Sequence, residues 1–348
     1  MKENKQMKKY SFKNDYGEGC HNSILKILAD TNLEQQEGYG EDYYSIEAKR
    51  LIRKEINNNS ADIHFVSGGT QANLIIISSL LRPYEAVISA STGHINTHEA
   101  GAIEAVGHKI ISVDSDDAKL YVHHIQAVLD EHINPPHMVK PKMVYISNTT
   151  ELGSIYSRKE LEGLYSFCKK NKLLLFLDGA RLGSAISSEH SDVSIEDVAN
   201  NTDIFYFGGT KNGALLGEAI IITNDSIKED FDYNLKQKGA LISKGRILGI
   251  QFYALFTDKL FQNLASHANK MADKIADAIK ISGYMFLNEP VSNQIFPILP
   301  NKLIAKLHNK YEFYVWKTID NDNSAVRIIT SWATEENIVD DFINDLRK

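Results

Sequence analysis

Between residues 63 and 223 one pattern recurs: a run of four or five β-branched, aliphatic or aromatic residues, followed by a longer polar or amphipathic stretch. The runs are IHFV at 63–66, EAVIS at 85–89, KIISV at 109–113, MVYIS at 143–147, LLLFL at 173–177, IFYF at 204–207 and AIIIT at 219–223. Their length and residue types suit β-strands. Several of the stretches between them, including TQANLIIISSLL, RKELEGLYSFCKKN and SIEDVANN, read as helices. Such alternation predicts an α/β fold on a mostly parallel seven-stranded sheet, with functional groups gathered where strands end.

Past residue 250 the pattern changes. ILGIQFYALFTDKLFQNLASHANKMADKIADAIKISG keeps a helical apolar period for more than thirty residues and is expected to be one connecting helix. It leads into SNQIFPIL, EFYVWKTI and AVRIITSW as strands and the amphipathic EENIVDDFINDLRK as a closing helix. The expected organisation is a flexible tail over 1–12, a large α/β domain over 13–250, and the connecting helix with a smaller α+β domain over 251–348. A length of 348 residues suits two such units.

A net charge of −7 argues against a nucleic acid as the main partner, which would need a basic face, and leaves room for a local basic pocket for one phosphate. The lysine-rich start, MKENKQMKKYSF, has no apolar stretch behind it and so lacks the core of a secretory signal. The longest apolar runs fall far short of the ~20 residues of a membrane helix. Two cysteines, Cys20 and Cys168, have no CxxC spacing and suit a reducing compartment, so a cytoplasmic protein is expected.

The strand ends carry the polar residues. IHFV runs into SGGTQAN, LLLFL into DGAR, IFYF into GGTKNG, and EAVIS is soon followed by STGHINTHE. Strand ends converge in a parallel sheet, so Ser67 to Gln71, His94, Asp178, Arg181 and Lys211 are expected to share a cleft. SGGTQAN opens a helix whose free N–H groups suit a phosphate, or it simply joins strand to helix. Asp178 is either a buried anion with a cationic partner or a helix cap, and Arg181 is a candidate partner for it. His94 and His98, four apart beside Glu99, have the spacing of two zinc ligands, but no third ligand stands out and no metal is expected. His123, His124, His132 and His137 receive no role.

Lys211 is the hardest to explain as scaffold, because an ammonium at a buried strand end loses hydration. A lysine that condenses with an aldehyde works as the neutral amine, and desolvation favours that form. Gly208, Gly209 and Gly213 would let a planar group approach the backbone. Together these point to pyridoxal 5′-phosphate. Lys211 would hold its aldehyde carbon, the glycine turn its phosphate, Asp178 its ring nitrogen and His94 its face.

At this point the chain resembles the threonine aldolase and aromatic amino acid β-eliminating lyase branch of the pyridoxal phosphate enzymes of the aspartate aminotransferase fold. The motifs, in order, are NDYGEG (14–19), YGED (39–42), VSGGTQAN (66–73), HINTHEAGA (94–102), DGAR (178–181), TKNG (210–213) and VRIITSW (326–332). The resemblance implies that Lys211 is the cofactor lysine, Asp178 the partner of the ring nitrogen and Arg181 a contact of the ring hydroxyl. It further implies cofactor contacts from Gly69, Thr70, Gln71 and Thr210, a ring-covering His94, and Arg327 on the substrate carboxylate. Asn14 and Asp15 would lie near the substrate, within an arm and substrate loop over 13–45, and Lys244 or Arg246 would bring a cation into the site. A homodimer or dimer of dimers with shared sites, up to a homotetramer, is implied as well.

One departure concerns the reaction. Many threonine aldolases have a histidine in the segment that here reads SNTTELG, where Thr150 stands. Threonine is no base at neutral pH. Glu151, His98 or His94 would take that duty, or the substrate is not a β-hydroxy amino acid. The resemblance implies retro-aldol cleavage of L-threonine, L-allo-threonine or a related amino acid to glycine and an aldehyde. β-Elimination, decarboxylation or transamination on the same site is the alternative. A non-catalytic protein with a vestigial site and a zinc hydrolase are the readings from other classes.

Overall fold

The structure is a computed structural model and describes residues 9 to 347. All seven apolar runs are strands of one sheet: β1 (Asp62–Val66), β2 (Glu85–Ala90), β3 (Lys109–Val113), β4 (Lys140–Ser147), β5 (Leu174–Asp178), β6 (Ile204–Gly208) and β7 (Glu218–Ile222). Their order is β1-β7-β6-β5-β4-β2-β3. β7 is antiparallel to both neighbours, and the other pairs are parallel. Every residue of β2, β5, β6 and β7 is buried, as a sheet covered on both faces requires.

The two-residue period divides these strands between two apolar layers. Leu175, Leu177, Phe205 and Phe207 join Leu161, Leu164 and Phe252 on one face. Leu174, Phe176, Ile204 and Tyr206 join Ile75, Ile76 and Ile77 on the other. Side chains are crowded out where β5 and β6 end. A Cβ on Gly208 would lie 2.2 Å from the Ala180 carbonyl oxygen, so the DGAR and GGTK turns pass each other only because glycine stands there.

The C-terminal strands form a second, antiparallel sheet: Ile298–Pro300, Asn323–Ile329 and Tyr314–Thr318, with Gln294–Ile295 also paired to Asn323–Ile329. Val326 and Ile328 pack with Ile275, Ile279 and, from the closing helix Glu336–Arg347, Phe342.

Two expectations need correction. The long connecting helix is two helices, Arg246–Leu255 and Leu260–Ile281, separated by a turn in which Asp258 and Lys259 have φ of 52° and 57°. Leu248, Ile250 and Phe252 are buried beside the large sheet, whereas Met271, Ile275 and Ile279 belong to the C-terminal core. A straight helix cannot serve both, and the polar TDK at 257–259 was the only sign of the break. The expected flexible tail lies outside the described residues through residue 8, but it does not extend to residue 12. Tyr10–Ser11 pairs in parallel with Tyr311–Glu312, and Phe12 is fully buried, edge-on to Phe342 with ring centroids 5.4 Å apart. Among the described residues no helix is long and apolar enough to cross a membrane.

Candidate active site

The carboxyl ends of the parallel strands open onto a cavity of about 360 Å³. Gly69, Thr70, His94, Thr150, Glu151, Asp178, Arg181, Thr210 and Lys211, all singled out in the sequence, line it. Tyr145 reaches Asp178 from the neighbouring strand, and Tyr206, Ser147 and Glu218 complete the wall.

Asp178 ends β5 and is buried. It accepts hydrogen bonds from the Tyr145 hydroxyl at 2.5 Å, the Ala180 N–H at 3.0 Å, Asn73 Nδ2 at 3.3 Å and the Tyr206 hydroxyl. Burial would raise its pKa, but His94 and these donors outweigh burial and hold it below the ordinary carboxylate value. The Ala180 contact is a local turn cap as well, so both sequence readings of Asp178 are physically present.

Lys211 follows β6 and is half-buried. Among the described residues its Nζ makes no hydrogen bond or ion pair. Burial lowers its pKa and the Arg181 charge lowers it further, against the opposing pull of Asp15, Asp178 and Glu218. This is the environment of a nucleophilic amine.

The helix Gly69–Leu80 begins at Gly68 with no side-chain cap, so its first N–H groups are free. A Cβ on Gly68 would meet nothing within 4 Å, which leaves the approach to those donors open. Thr210 lines the same cavity, its Oγ1 accepting the Gly217 N–H at 3.0 Å. Uncapped helix donors, an amine whose charge burial disfavours and a carboxylate held below its ordinary pKa in one cavity fit the phosphate, aldehyde and ring nitrogen of pyridoxal phosphate.

Other expectations are met differently. Arg181 does not pair with Asp178: it grips Asp15 through Nε at 2.7 Å and Nη2 at 2.9 Å. Asp15 is fully buried and also accepts from Asn293 Nδ2 at 3.0 Å, so it anchors Arg181 and does not line the cavity. Burial would raise its pKa, and Arg181 pulls it below the ordinary value. Asn14 accepts the Tyr16 N–H at 3.1 Å within its own turn and likewise does not line the cavity. Gln71 is turned away too. Its Oε1 holds the Ser67 N–H and hydroxyl at 3.0 and 2.9 Å, and its Nε2 reaches the Lys238 carbonyl at 3.3 Å.

Lys244 and Arg246 lie in a different hollow, against Glu34 to Glu37. Arg246 is committed there, donating to the Thr31 and Glu34 carbonyls at 2.7 and 2.8 Å beyond the helix Asn22–Asp30. Neither cation reaches the cavity of its own chain. Arg327 lies over the rings of Tyr314 and Trp316, 5.7 and 5.3 Å from their centroids, and Nη2 donates to the Lys13 carbonyl at 3.3 Å. Its Nε is buried without a partner among the described residues, and Arg327 does not line the cavity.

Thr150 is fully buried, its Oγ1 shared with Ser154 Oγ at 2.7 Å. Glu151 accepts the His94 N–H and the Ser147 hydroxyl, each at 2.8 Å. Burial raises its pKa above the ordinary value and Asp178 adds to the rise, although the Ser147 bond opposes it. His98 is exposed, its ring centroid 5.6 Å from that of His94. Among the described residues no three His, Cys, Asp or Glu side chains gather as a metal centre.

Tyr145, Tyr206 and Glu218 were missed in the sequence. The tyrosines sit inside apolar runs and read as core aromatics. Glu218 begins β7, and because β7 runs against the other strands, its amino end meets their carboxyl ends. Burial pushes the Glu218 carboxyl up from 4.5 to about 8, although Lys211 and the Gly209 N–H oppose the rise. Its contribution to stability is therefore complete below about pH 4.5 and is lost as pH rises through about 8. The loss is on the order of 5 kcal/mol at about 1.36 kcal/mol per pKa unit. Glu218→Gln is expected to flatten this decline, read as the melting temperature of the cofactor-free protein across that range.

The order of the sheet and the lysine–aspartate pair at its strand ends define the class of pyridoxal phosphate enzymes with the aspartate aminotransferase fold. An aspartate aminotransferase variant from Thermus thermophilus superposes with a TM-score of 0.72 at 14% identity, over 97% of this chain and 91% of that one. The family model for β-eliminating lyases matches residues 19–300, and the chain belongs to that family. Its cofactor is pyridoxal 5′-phosphate. A low specificity L-threonine aldolase from a Pseudomonas species is 32% identical over 97% of this chain and 96% of its own length. The solved threonine aldolase of Leishmania major is 47% identical, with a TM-score of 0.95 over 97% of this chain and 98% of that one.

Proposed function

We propose that this chain is a carbon–carbon lyase that cleaves L-threonine, L-allo-threonine or a close β-hydroxy-α-amino acid to glycine and an aldehyde. The observation that carries the proposal is the unpartnered, half-buried Lys211 amine in one cavity with an ionised Asp178. The full-length likeness to threonine aldolases supports the choice of substrate.

Bound pyridoxal phosphate supplies a conjugated electron sink for the bonds at the substrate Cα. In this proposal Lys211 holds its aldehyde carbon, Asp178 keeps its ring nitrogen protonated, and the N–H groups of the turn at Gly68–Thr70, with the Thr210 hydroxyl, bind its phosphate. Arg181, fixed by Asp15, presents the rest of its guanidinium to the ring hydroxyl, and His94 covers the ring. Arg327 receives the substrate carboxylate and so orients the Cα–Cβ bond. Glu151 accepts the β-hydroxyl proton as that bond breaks and Cβ becomes the carbonyl carbon, and Cα is then protonated to give glycine. Of Glu151, His98 and His94, Glu151 combines a place in the cavity wall with raised basicity, whereas His98 does not line the cavity and His94 is given to covering the ring.

Two consequences are measurable. The base form of Glu151 is the carboxylate, so activity is expected to fall as pH drops through its raised pKa, above the ordinary carboxylate value of 4.5. Glu151→Gln is expected to remove that acid limb and lower kcat by about 10²- to 10⁴-fold. Product analysis tests the proposal itself. One glycine and one acetaldehyde per threonine is the expected outcome, and ammonia with a keto acid would replace it by β-elimination.

The same proposal divides the chain into a cofactor-binding part over 13–250 and a smaller part beyond, and it places the protein in the cytoplasm, in keeping with two free, buried cysteines. It also pairs copies of the chain as a dimer or a tetramer. Leu33, 92% exposed between Asn32 and Glu34, and the exposed Ile247 border the hollow that holds Lys244, which supports a neighbouring copy there.

A further inference from the structure

Asn73 sits on the helix Gly69–Leu80, one turn beyond the glycine turn, and is wholly buried. Its Nδ2 donates to Glu99 Oε1 at 2.8 Å and to Asp178 Oδ2 at 3.3 Å. Glu99 Oε1 lies 3.1 Å from His94 Nδ1, and the Glu99 side chain has no exposed surface. A single amide thus joins the carboxylate beside His94 to the carboxylate at the end of β5.

The arrangement is costly as plain packing. Because ionised carboxylates only accept, the amide must turn Nδ2 toward them. Among the described residues Asn73 Oδ1 is then left buried without a partner, and so is Glu99 Oε2. Each unmet buried polar atom destabilises the fold, a loss that an apolar pair would avoid.

We infer that Glu99 and Asn73 are positioning residues that, in the neutral ring, fix His94 as the tautomer with its hydrogen on Nδ1 and Nε2 free to accept. A carboxylate accepts but does not donate, so the nitrogen facing Glu99 carries the hydrogen. In the neutral ring the remaining nitrogen is then an acceptor, which makes His94 a proton-handling ring as well as a cover. Its other neighbours do not set this choice: Glu151 binds its backbone N–H, and His98 meets it edge-on. Asn73 stops Glu99 from rotating away and ties that geometry to Asp178, as outer-shell partners do for metal-bound histidines.

This inference rests on the proposed cofactor site, but its test does not need turnover. Side-chain ¹⁵N chemical shifts of His94 are read in cofactor-free protein at mildly alkaline pH, for the wild type, Glu99→Gln and Asn73→Ala. The wild type is expected to show hydrogen on Nδ1. Glu99→Gln, whose amide can offer either end, is expected to lose that preference, and Asn73→Ala to show a mixture of tautomers. In the holoenzyme, Glu99→Gln is expected to lower kcat by about 10- to 100-fold with little change in KM, and Glu99→Asp to recover part of the loss. An unprotonated Nδ1 in the wild type, or wild-type tautomers in both variants, would overturn the inference. If Glu99→Gln does not fold, the wild type and Asn73→Ala carry the same test. Expected shifts without aldehyde from threonine would fail the proposed reaction alone, and unchanged shifts in a working aldolase would fail this inference alone.

Discussion

Lys211→Ala is expected to give a folded, colourless protein with at least about 10³-fold lower turnover of threonine. The reason lies in what the amine does in the structure. It makes no hydrogen bond or ion pair among the described residues, and burial and Arg181 both disfavour its charge. An unpaired amine in that setting costs the fold stability, so truncation is expected to leave the melting temperature of the cofactor-free protein unchanged or raised. A structural lysine would behave in the opposite way, with lost stability and retained turnover. Visible spectra, aldehyde release and thermal melts of one protein sample separate the two cases.

Asp178→Asn is expected to keep the cofactor bound and lower kcat by about 10²- to 10³-fold, with a much smaller effect on KM. Asparagine has the shape of aspartate, and its one oxygen can still accept from either the Tyr145 hydroxyl or the Ala180 N–H, which bind different oxygens of Asp178. What is lost is the charge and one acceptor. Asp178 is held below the ordinary carboxylate value, so it is ionised throughout the neutral range, and only an anion there keeps a proton on the ring nitrogen. The neutral amide removes that effect without opening the wall. Equal losses in kcat for Asp178→Asn and Asp178→Ala, both with cofactor released, would instead mark Asp178 as a residue that shapes the cavity.

The seven strands were legible because four of them are buried along their whole length and the others still carry runs of β-branched and aliphatic residues. The cavity was legible where a parallel strand ends in a polar residue, as at Asp178 and Lys211. Glu218 was not, since its strand runs the other way and nothing in AIIIT announces that reversal. Tyr145 and Tyr206 were hidden by composition: a ring that fills a core and a hydroxyl that binds a carboxylate are the same letter. The Arg181–Asp15 pair spans 166 positions, a distance over which no local spacing rule operates. Gln71 and Arg246 were placed by motif, but a long side chain goes where its hydrogen bonds are met, and theirs are met by Ser67 and by Thr31. The break at 256–259 interrupts a helical period that is continuous in sequence, because the two halves serve different cores.

The most direct measurement is borohydride reduction of the purified holoenzyme, followed by proteolysis and mass mapping of the cofactor-bearing peptide. The expected result is a reduced pyridoxyl group on Lys211, in the peptide that contains GGTKNG, and on no other lysine. A label on Lys244 or on scattered surface lysines, with Lys211 unmodified, would contradict the account.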